Sequence, residues 1–123
     1  MLILVLAVFG ALGTLARYGL QGWVQNQTGS FFPAGTLAVN VLGCFLFGGI
    51  TRLALQHLWF PPEWRMALTI GFLGAFTTFS TFSWETFRML EDGEWGAAAL
   101  YLGTSVLGGL LGIIAGMKLA DLL

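Results

Sequence analysis

The sequence predicts an all-α membrane protein, a single domain of four transmembrane helices, and three observations lead to that prediction. Hydrophobic residues make up 57% of the 123 residues and charged residues only 9%, whereas an ordinary soluble domain has roughly 25% charged residues. Segments 1–16, 18–51, 66–84 and 95–117 contain no charged side chain, and a spanning helix needs about 20 mostly apolar residues. No segment shows the alternating polarity of a membrane β-barrel strand.

The four spans are predicted at residues 2–25, 33–56, 63–90 and 95–120. A polar segment, 25–30, follows the first span, the pair Pro61 and Pro62 breaks the helix after the second, and the polar turn 91–94 follows the third. Four of the five tryptophans fall near the predicted ends, where indole rings prefer the membrane interface: Trp23, Trp59, Trp64 and Trp95.

Composition also excludes several classes of protein. A formal net charge of −1 leaves no basic patch for nucleic acid. The single Cys can form neither a disulfide within the chain nor a cysteine zinc site. One His, one Cys and no cluster of acids at membrane depth leave no catalytic constellation, so we do not expect an enzyme.

Polar side chains within the spans must face protein or water rather than lipid. Their number in so short a chain suggests an oligomer that gathers them at a shared interface. They are Thr14, Arg17, Thr36, Asn40, Thr77, Thr78, Ser80, Thr81, Ser83, Glu85, Thr104 and Ser105. Gly108, Gly112 and Gly116 recur every four residues on the last helix, a pattern that allows close helix packing, either with a partner copy or within one chain.

The third span is the least regular of the four. Gly71, Gly74 and the hydroxyl-rich run 77–83 all weaken a helix. A break there would free backbone carbonyls, which membrane proteins use to bind ions or line cavities. The alternative is a continuous helix whose hydroxyls bond back to the preceding turn, with Phe76 and Phe79 on one shared face.

Two kinds of side chain could bind a small anion without a fixed cation. A phenyl ring has a positive edge, so the phenylalanines of the third span offer weak anion contacts, although such a stripe is also typical of packing. Asn40, mid-way along the second span, has two amide donors; it could serve an anion or form a hydrogen bond between helices.

These segments resemble the Fluc (CrcB) family of small fluoride channels. The similar stretches are residues 10–18, 35–43 and 71–82, and the string from Thr77 to Phe82 is highly specific. Two positions depart from the family pattern, Ala75 where Gly is common and Cys44 where Ser is common.

The resemblance implies a fluoride-selective channel in the cell membrane, a multi-pass protein surrounded by lipid, which acts as an antiparallel homodimer of dual topology with a third helix broken mid-membrane. Fluoride, a structural sodium ion and a second copy of the chain are the implied partners. The implied anion-pore residues are Phe79, Phe82, Asn40, Ser80, Thr81, Tyr101, Ser105, Glu85 and Arg17, of which Arg17 either attracts anions or anchors a helix end. The implied sodium ligands are the backbone carbonyls of Gly74 and Thr77.

A small multidrug-type proton-coupled exporter is the alternative function. Such exporters are also four-helix chains of this length, but they use a membrane carboxylate in the first helix, and residues 1–16 contain no acid. The only deep carboxylate is Glu85, with Arg88 one turn away and expected to pair with it.

Overall fold

Helices follow one another along almost the whole chain in the computed structural model, which describes residues 1–123 and contains no β-strand. The elements are α1 (Leu2–Thr28), α2 (Ala34–Gln56), α3 (Pro62–Met66), a π-helical segment (Ala67–Leu73), α4 (Gly74–Phe76), α5 (Phe79–Glu91) and α6 (Trp95–Ala120). Four stretches are long and apolar enough to cross a membrane: Leu2–Thr28, Ala34–Gln56, Pro62–Glu91 and Trp95–Ala120. The prediction of four membrane-spanning helices is confirmed. The largest difference in bounds is at α1, which continues to Thr28 rather than ending at Gln25.

Apolar side chains cover much of the outer surface. Only 20 of the 123 residues are buried, and large side chains such as Leu4, Leu15, Leu107 and Leu111 are exposed. Soluble proteins rarely expose contiguous apolar patches of this kind. The chain is therefore a multi-pass integral membrane protein.

A single glutamine organises the turn between α1 and α2. Gly29 ends α1 in the left-handed conformation, with φ 57°, and its N–H donates to the Gln25 carbonyl. The Gln25 side chain donates to the carbonyls of Ser30 and Phe32, at 2.8 and 3.1 Å, and accepts from the Gly35 N–H at 3.1 Å. These bonds fix the start of α2 against the end of α1.

Glycines bring α2 and α6 into close contact. A Cβ atom at Gly116 would collide with the Phe45 carbonyl, and one at Gly48 would collide with the Ile113 carbonyl. At Gly112 a Cβ would lie 3.0 Å from the Val41 carbonyl. The glycine repeat of the last span therefore serves packing within the chain, which is one of the two roles that the sequence left open.

Glycine also lets α1 approach the third span. A Cβ at Gly13 would collide with the Phe72 carbonyl, in the π-helical segment. Gly71 makes a similar close approach, since a Cβ atom added there would lie 2.9 Å from the Cβ of Phe9 on α1. The π-helical segment is thus held between α1 and α2, directly before the candidate site.

An exposed ion pair joins the ends of α2 and α6. Arg52 Nε donates to Asp121 Oδ1 at 2.6 Å, and Gln56 Nε2 donates to the same oxygen at 2.6 Å. The hydrogen bond from Arg52 lowers the pKa of the Asp121 carboxyl below its ordinary value. Because both side chains are exposed, we expect this pair to add little stability.

We predict that Gly116→Ala destabilises the protein by about 2 kcal/mol, since the added methyl must push the α2 backbone away. The measurement is the midpoint of thermal unfolding in detergent. Gly19→Ala is the control, because a Cβ there meets nothing within 4 Å and Ala is preferred over Gly in a helix. Equal midpoints for the two variants would contradict the close contact.

Candidate functional site

The backbone of the third span leaves the helical conformation at Thr77 and Thr78, after a last helical bond from the Thr77 N–H to the Leu73 carbonyl at 3.0 Å. Both residues have extended backbones, with φ/ψ of −86°/158° at Thr77 and −150°/110° at Thr78. The Thr78 N–H donates to Asn40 Oδ1 at 2.7 Å, and Asn40 Nδ2 donates to the Thr78 carbonyl at 3.1 Å. One side chain of α2 therefore satisfies both main-chain polar groups of Thr78, its N–H and its carbonyl.

The helix that follows begins with a side-chain cap. Thr78 is the N-cap residue of α5, and its Oγ1 accepts from the Thr81 N–H at 3.3 Å. The same hydroxyl donates to Thr81 Oγ1 at 2.9 Å. On the preceding residue, the Thr77 carbonyl accepts a long hydrogen bond from Arg17 Nη1, at 3.4 Å.

An open groove of about 500 Å³ lies beside the interruption. Its lining contains no charged side chain and includes six of the predicted site residues: Asn40, Gly74, Thr77, Phe79, Phe82 and Ser105. The rings of Phe79 and Phe82 have centroids 5.8 Å apart, and Phe79 is 80% exposed. The buried Oγ of Ser105 has no hydrogen-bond partner within the chain.

A buried tyrosine links the phenylalanines to a carboxylate. The Tyr101 side chain is fully buried, and its ring meets the Phe82 ring edge-on, with centroids 5.1 Å apart. The Tyr101 hydroxyl donates to Glu85 Oε2 at 2.6 Å. Thr36 Oγ1 donates to the other oxygen, Glu85 Oε1, at 2.7 Å, and itself accepts from Gln21 Nε2 at 3.0 Å. Both oxygens of the carboxylate therefore receive a hydroxyl donor.

Glu85 lines a second, polar cleft of about 610 Å³, between α1, α2 and the end of α5. Charged and amide side chains surround it, among them Gln21, Gln25, Arg88, Asp92 and Glu94. Tyr101 lies between this cleft and the groove, with its ring against Phe82 and its hydroxyl on Glu85. Tyr101 thus contacts one lining residue of each cavity.

One expectation from the sequence is wrong. Arg88 does not pair with Glu85; it lies 3.6 Å from a Glu91 carboxylate oxygen and over the Trp84 ring, while Glu85 binds hydroxyls. A shared face for Phe76 and Phe79 belonged to the alternative of a continuous helix. Here the extended residues between them reset the helical period, so Phe76 is buried and Phe79 is exposed.

The remaining predicted residues lie around these cavities rather than in their linings. Ser80 is exposed, with its Oγ 3.5 Å from Thr78 Oγ1, and Thr81 is half-buried behind the cap. Arg17, also half-buried, reaches the site only through the Thr77 carbonyl. The structure brings no cluster of three or more His, Cys, Asp or Glu side chains together for a metal.

Sequence reasoning missed Gln21, Thr36 and Thr78 as site residues. The spacing along the helices contained a signal for two of them: Gln21 is one turn after Arg17, and Thr36 is one turn before Asn40, so each shares a face with a predicted residue. Thr78 could be identified only once the helix was known to restart at Phe79.

Comparison with known proteins gives close relatives over nearly the whole chain. A family model described as CrcB-like protein, Camphor Resistance (CrcB), matches residues 4–117. A Geobacter sulfurreducens protein named fluoride-specific ion channel FluC is 55% identical over 118 residues, covering 96% of this chain and 95% of the relative. Proteins of the same name from Geobacter metallireducens and Acidobacterium capsulatum are 58% and 46% identical, over 85% and 94% of this chain and 85% and 92% of their own length.

We predict that Tyr101→Phe lowers the free energy of unfolding by about 2 kcal/mol, because a half-buried carboxylate loses a hydrogen-bond donor. Unfolding in detergent measures the change. Tyr18→Phe is the matched control, since Tyr18 is 83% exposed. The cost of Tyr101→Phe should largely disappear when Glu85 is already Leu; an undiminished cost would mean that the hydroxyl acts elsewhere.

Proposed function

This chain belongs to the CrcB family, and from that premise we propose that it is a fluoride-selective channel that exports fluoride passively across the cell membrane. The observation that carries the proposal is 55% identity, over nearly the full length of both chains, to a protein named fluoride-specific ion channel FluC. Fluoride enters a cell as the neutral weak acid and dissociates inside, so it must leave as the anion. A passive pore for that anion lowers cytoplasmic fluoride without catalysis.

The groove offers the chemistry that such a pore needs. Phe79 and Phe82 lie together there, and no charged side chain lines it. The positive edges of phenyl rings attract a small anion weakly, and conduction requires binding weak enough for release. We propose that an anion passes these two ring edges and is then handed to hydroxyl donors.

Several neutral donors lie next to the rings. Ser105 Oγ has an unused hydrogen, and Ser80 is exposed beside the cap. Asn40 Nδ2 has one hydrogen committed to the Thr78 carbonyl, which leaves its second hydrogen for an anion. The Tyr101 hydroxyl donates to Glu85, so it keeps that carboxylate turned away from the groove.

A second copy of the chain would complete the pore. Phe79 is 80% exposed, and the groove beside it is open. In a single chain this side of the groove would face lipid, and lipid cannot form one wall of a path for an anion. We propose an antiparallel dimer with lipid around it. The distribution of basic residues supports insertion in both directions: Arg52, Arg65 and Lys118 lie toward the side of the N-terminus, and Arg17 and Arg88 toward the other. A difference of one residue is too small to fix the orientation.

The same interface would hold a sodium ion if the interruption lies mid-membrane in both copies. Gly74 and Thr77 line the groove on the side of the interruption, and backbone carbonyls at broken membrane helices can coordinate Na⁺. These are neutral, hard oxygen donors, which fit a monovalent cation. One chain offers two such carbonyls, too few to enclose an ion, so the site requires the partner copy. The bound ion would lend fixed positive charge to the interface.

The exporter alternative is not favoured. Its carboxylate would have to exchange protons with solvent and bind a cationic substrate. Glu85 instead receives hydroxyl donors on both oxygens, from Thr36 and Tyr101, and the relatives carry a channel name.

We predict rapid fluoride efflux from liposomes that contain the purified protein. Vesicles loaded with potassium fluoride should release fluoride within seconds of adding a potassium ionophore that dissipates the membrane potential, as read by a fluoride electrode. Phe79→Ile and Phe82→Ile should each slow efflux at least ~10-fold, since about 1.4 kcal/mol of barrier corresponds to a factor of ten and the variants keep an apolar side chain without its positive ring edge.

Two controls accompany the efflux experiment. Chloride-loaded vesicles should retain chloride, and chloride release as fast as fluoride release would reject the proposed selectivity. Phe87→Ile changes an exposed phenylalanine of α5 that lines neither the groove nor the polar cleft and should conduct like the wild type. If Phe79→Ile and Phe82→Ile also conduct like the wild type, the two rings only pack.

Dual insertion predicts equal labelling of the chain from both sides of a membrane. A single Cys is added after Leu123 in a Cys44→Ala background, and intact cells or sealed vesicles are treated with an impermeant thiol reagent. About half of the chains should react, because insertion has no preferred direction. Detergent-opened vesicles give the total. Labelling of all chains or of none would reject the antiparallel arrangement.

A further inference from the structure

We infer that Asn40 and Thr78 are positioning residues that create the cation site by capturing the two amide hydrogens that would otherwise occupy its carbonyls. The inference rests on the proposed sodium site at Gly74 and Thr77. It assigns a role to Thr78, which lines the groove but was not among the predicted residues, and a second role to Asn40.

The Gly74 carbonyl is the first of the pair. In a continuous α-helix each N–H donates to the carbonyl four residues earlier, so the Thr78 N–H would donate to Gly74. That N–H is instead bound by Asn40 Oδ1 at 2.7 Å. Asn40 thus removes the helical donor of Gly74 and leaves this carbonyl, on an exposed residue of the groove, available to another ligand.

The Thr77 carbonyl is released by the same means. Its helical donor would be the Thr81 N–H, which is bound by Thr78 Oγ1 at 3.3 Å. A Thr hydroxyl at the N-cap accepts in this way at the start of many helices. What remains on the Thr77 carbonyl is the long hydrogen bond from Arg17, at 3.4 Å, and a carbonyl oxygen has a second lone pair.

The two captures occupy the amide hydrogens that would cover the two carbonyls of the proposed cation site. Asn40 also donates to the Thr78 carbonyl at 3.1 Å, so the residue that leaves the helix keeps a partner for both its N–H and its carbonyl. An unsatisfied buried main-chain group would be costly, and without Asn40 the Thr78 N–H can regain a helical bond by returning to the Gly74 carbonyl. Loss of either side chain should therefore favour a continuous helix and close the site.

The direct test measures the dependence of thermal stability on sodium, in detergent, with the full-length protein. Because a ligand of the folded state raises the unfolding midpoint, titration of sodium against a large organic cation, N-methylglucamine, at constant ionic strength gives the sodium concentration of half-maximal shift. Asn40→Leu and Thr78→Val should each raise that concentration about 10-fold or abolish the shift, since about 1.4 kcal/mol corresponds to a factor of ten and one hydrogen bond contributes up to about this much.

Two matched variants separate this role from general damage. Thr78→Ser keeps the capping hydroxyl and should retain the wild-type sodium dependence. Thr86→Val removes another buried hydroxyl of α5, which donates to the Phe82 carbonyl at 2.8 Å and captures no amide, and it too should retain that dependence.

The outcomes are distinct. Wild-type sodium dependence in Asn40→Leu and Thr78→Val would overturn the inference, as would failure of both to fold while Thr86→Val folds, because the hydrogen bonds would then serve the whole fold. A wild-type protein whose midpoint ignores sodium also overturns it. Fluoride efflux from the same preparation tests the channel proposal independently. If fluoride leaves the vesicles but the unfolding midpoint does not depend on sodium, the channel proposal stands and this inference fails. If the midpoint depends on sodium but no fluoride leaves, only the cation site stands.

Discussion

The arrangement of the site depends on one residue, Thr78, whose backbone leaves the helix while its N–H and its carbonyl both keep a hydrogen-bond partner. Thr78 is buried, and a buried main-chain polar group without a partner is costly, so this extended residue needs a side chain that both donates and accepts. Asn40 does both for Thr78. This exchange sets the phase of α5, because the helix restarts at Phe79 after two extended residues.

The change of phase decides which aromatic rings are available. Phe76 comes before the interruption and is buried against Phe72, with ring centroids 5.7 Å apart. Phe79 comes after it and faces outward beside Phe82. A continuous helix would have placed Phe76 and Phe79 side by side in one packed stripe. Because of the two extended residues, Phe72 and Phe76 pack together before the interruption, and Phe79 and Phe82 lie together after it.

Close backbone packing holds the interruption in place. Gly13 allows α1 to touch the π-helical segment before it, and Gly112 and Gly116 hold α6 against α2, which carries Asn40. Tyr101 on α6 then fills the space between Phe82 and Glu85. The polar cleft and the apolar groove remain separate because this one side chain is apolar along its ring and polar at its hydroxyl.

The sequence alone determined the number of helices and their approximate ends, because long uncharged segments separated by polar and proline turns have few other physical solutions. Resemblance to a known family also identified six of the residues that line the groove. Only the tertiary structure decided how they act. In the sequence Asn40 is an amide with two donors, but in the structure it also accepts from the Thr78 N–H. Glu85 accepts from Thr36 and Tyr101 instead of pairing with Arg88. Spacing along one helix cannot reveal a partner on another helix, since hydrogen bonds between helices depend on how the helices pack.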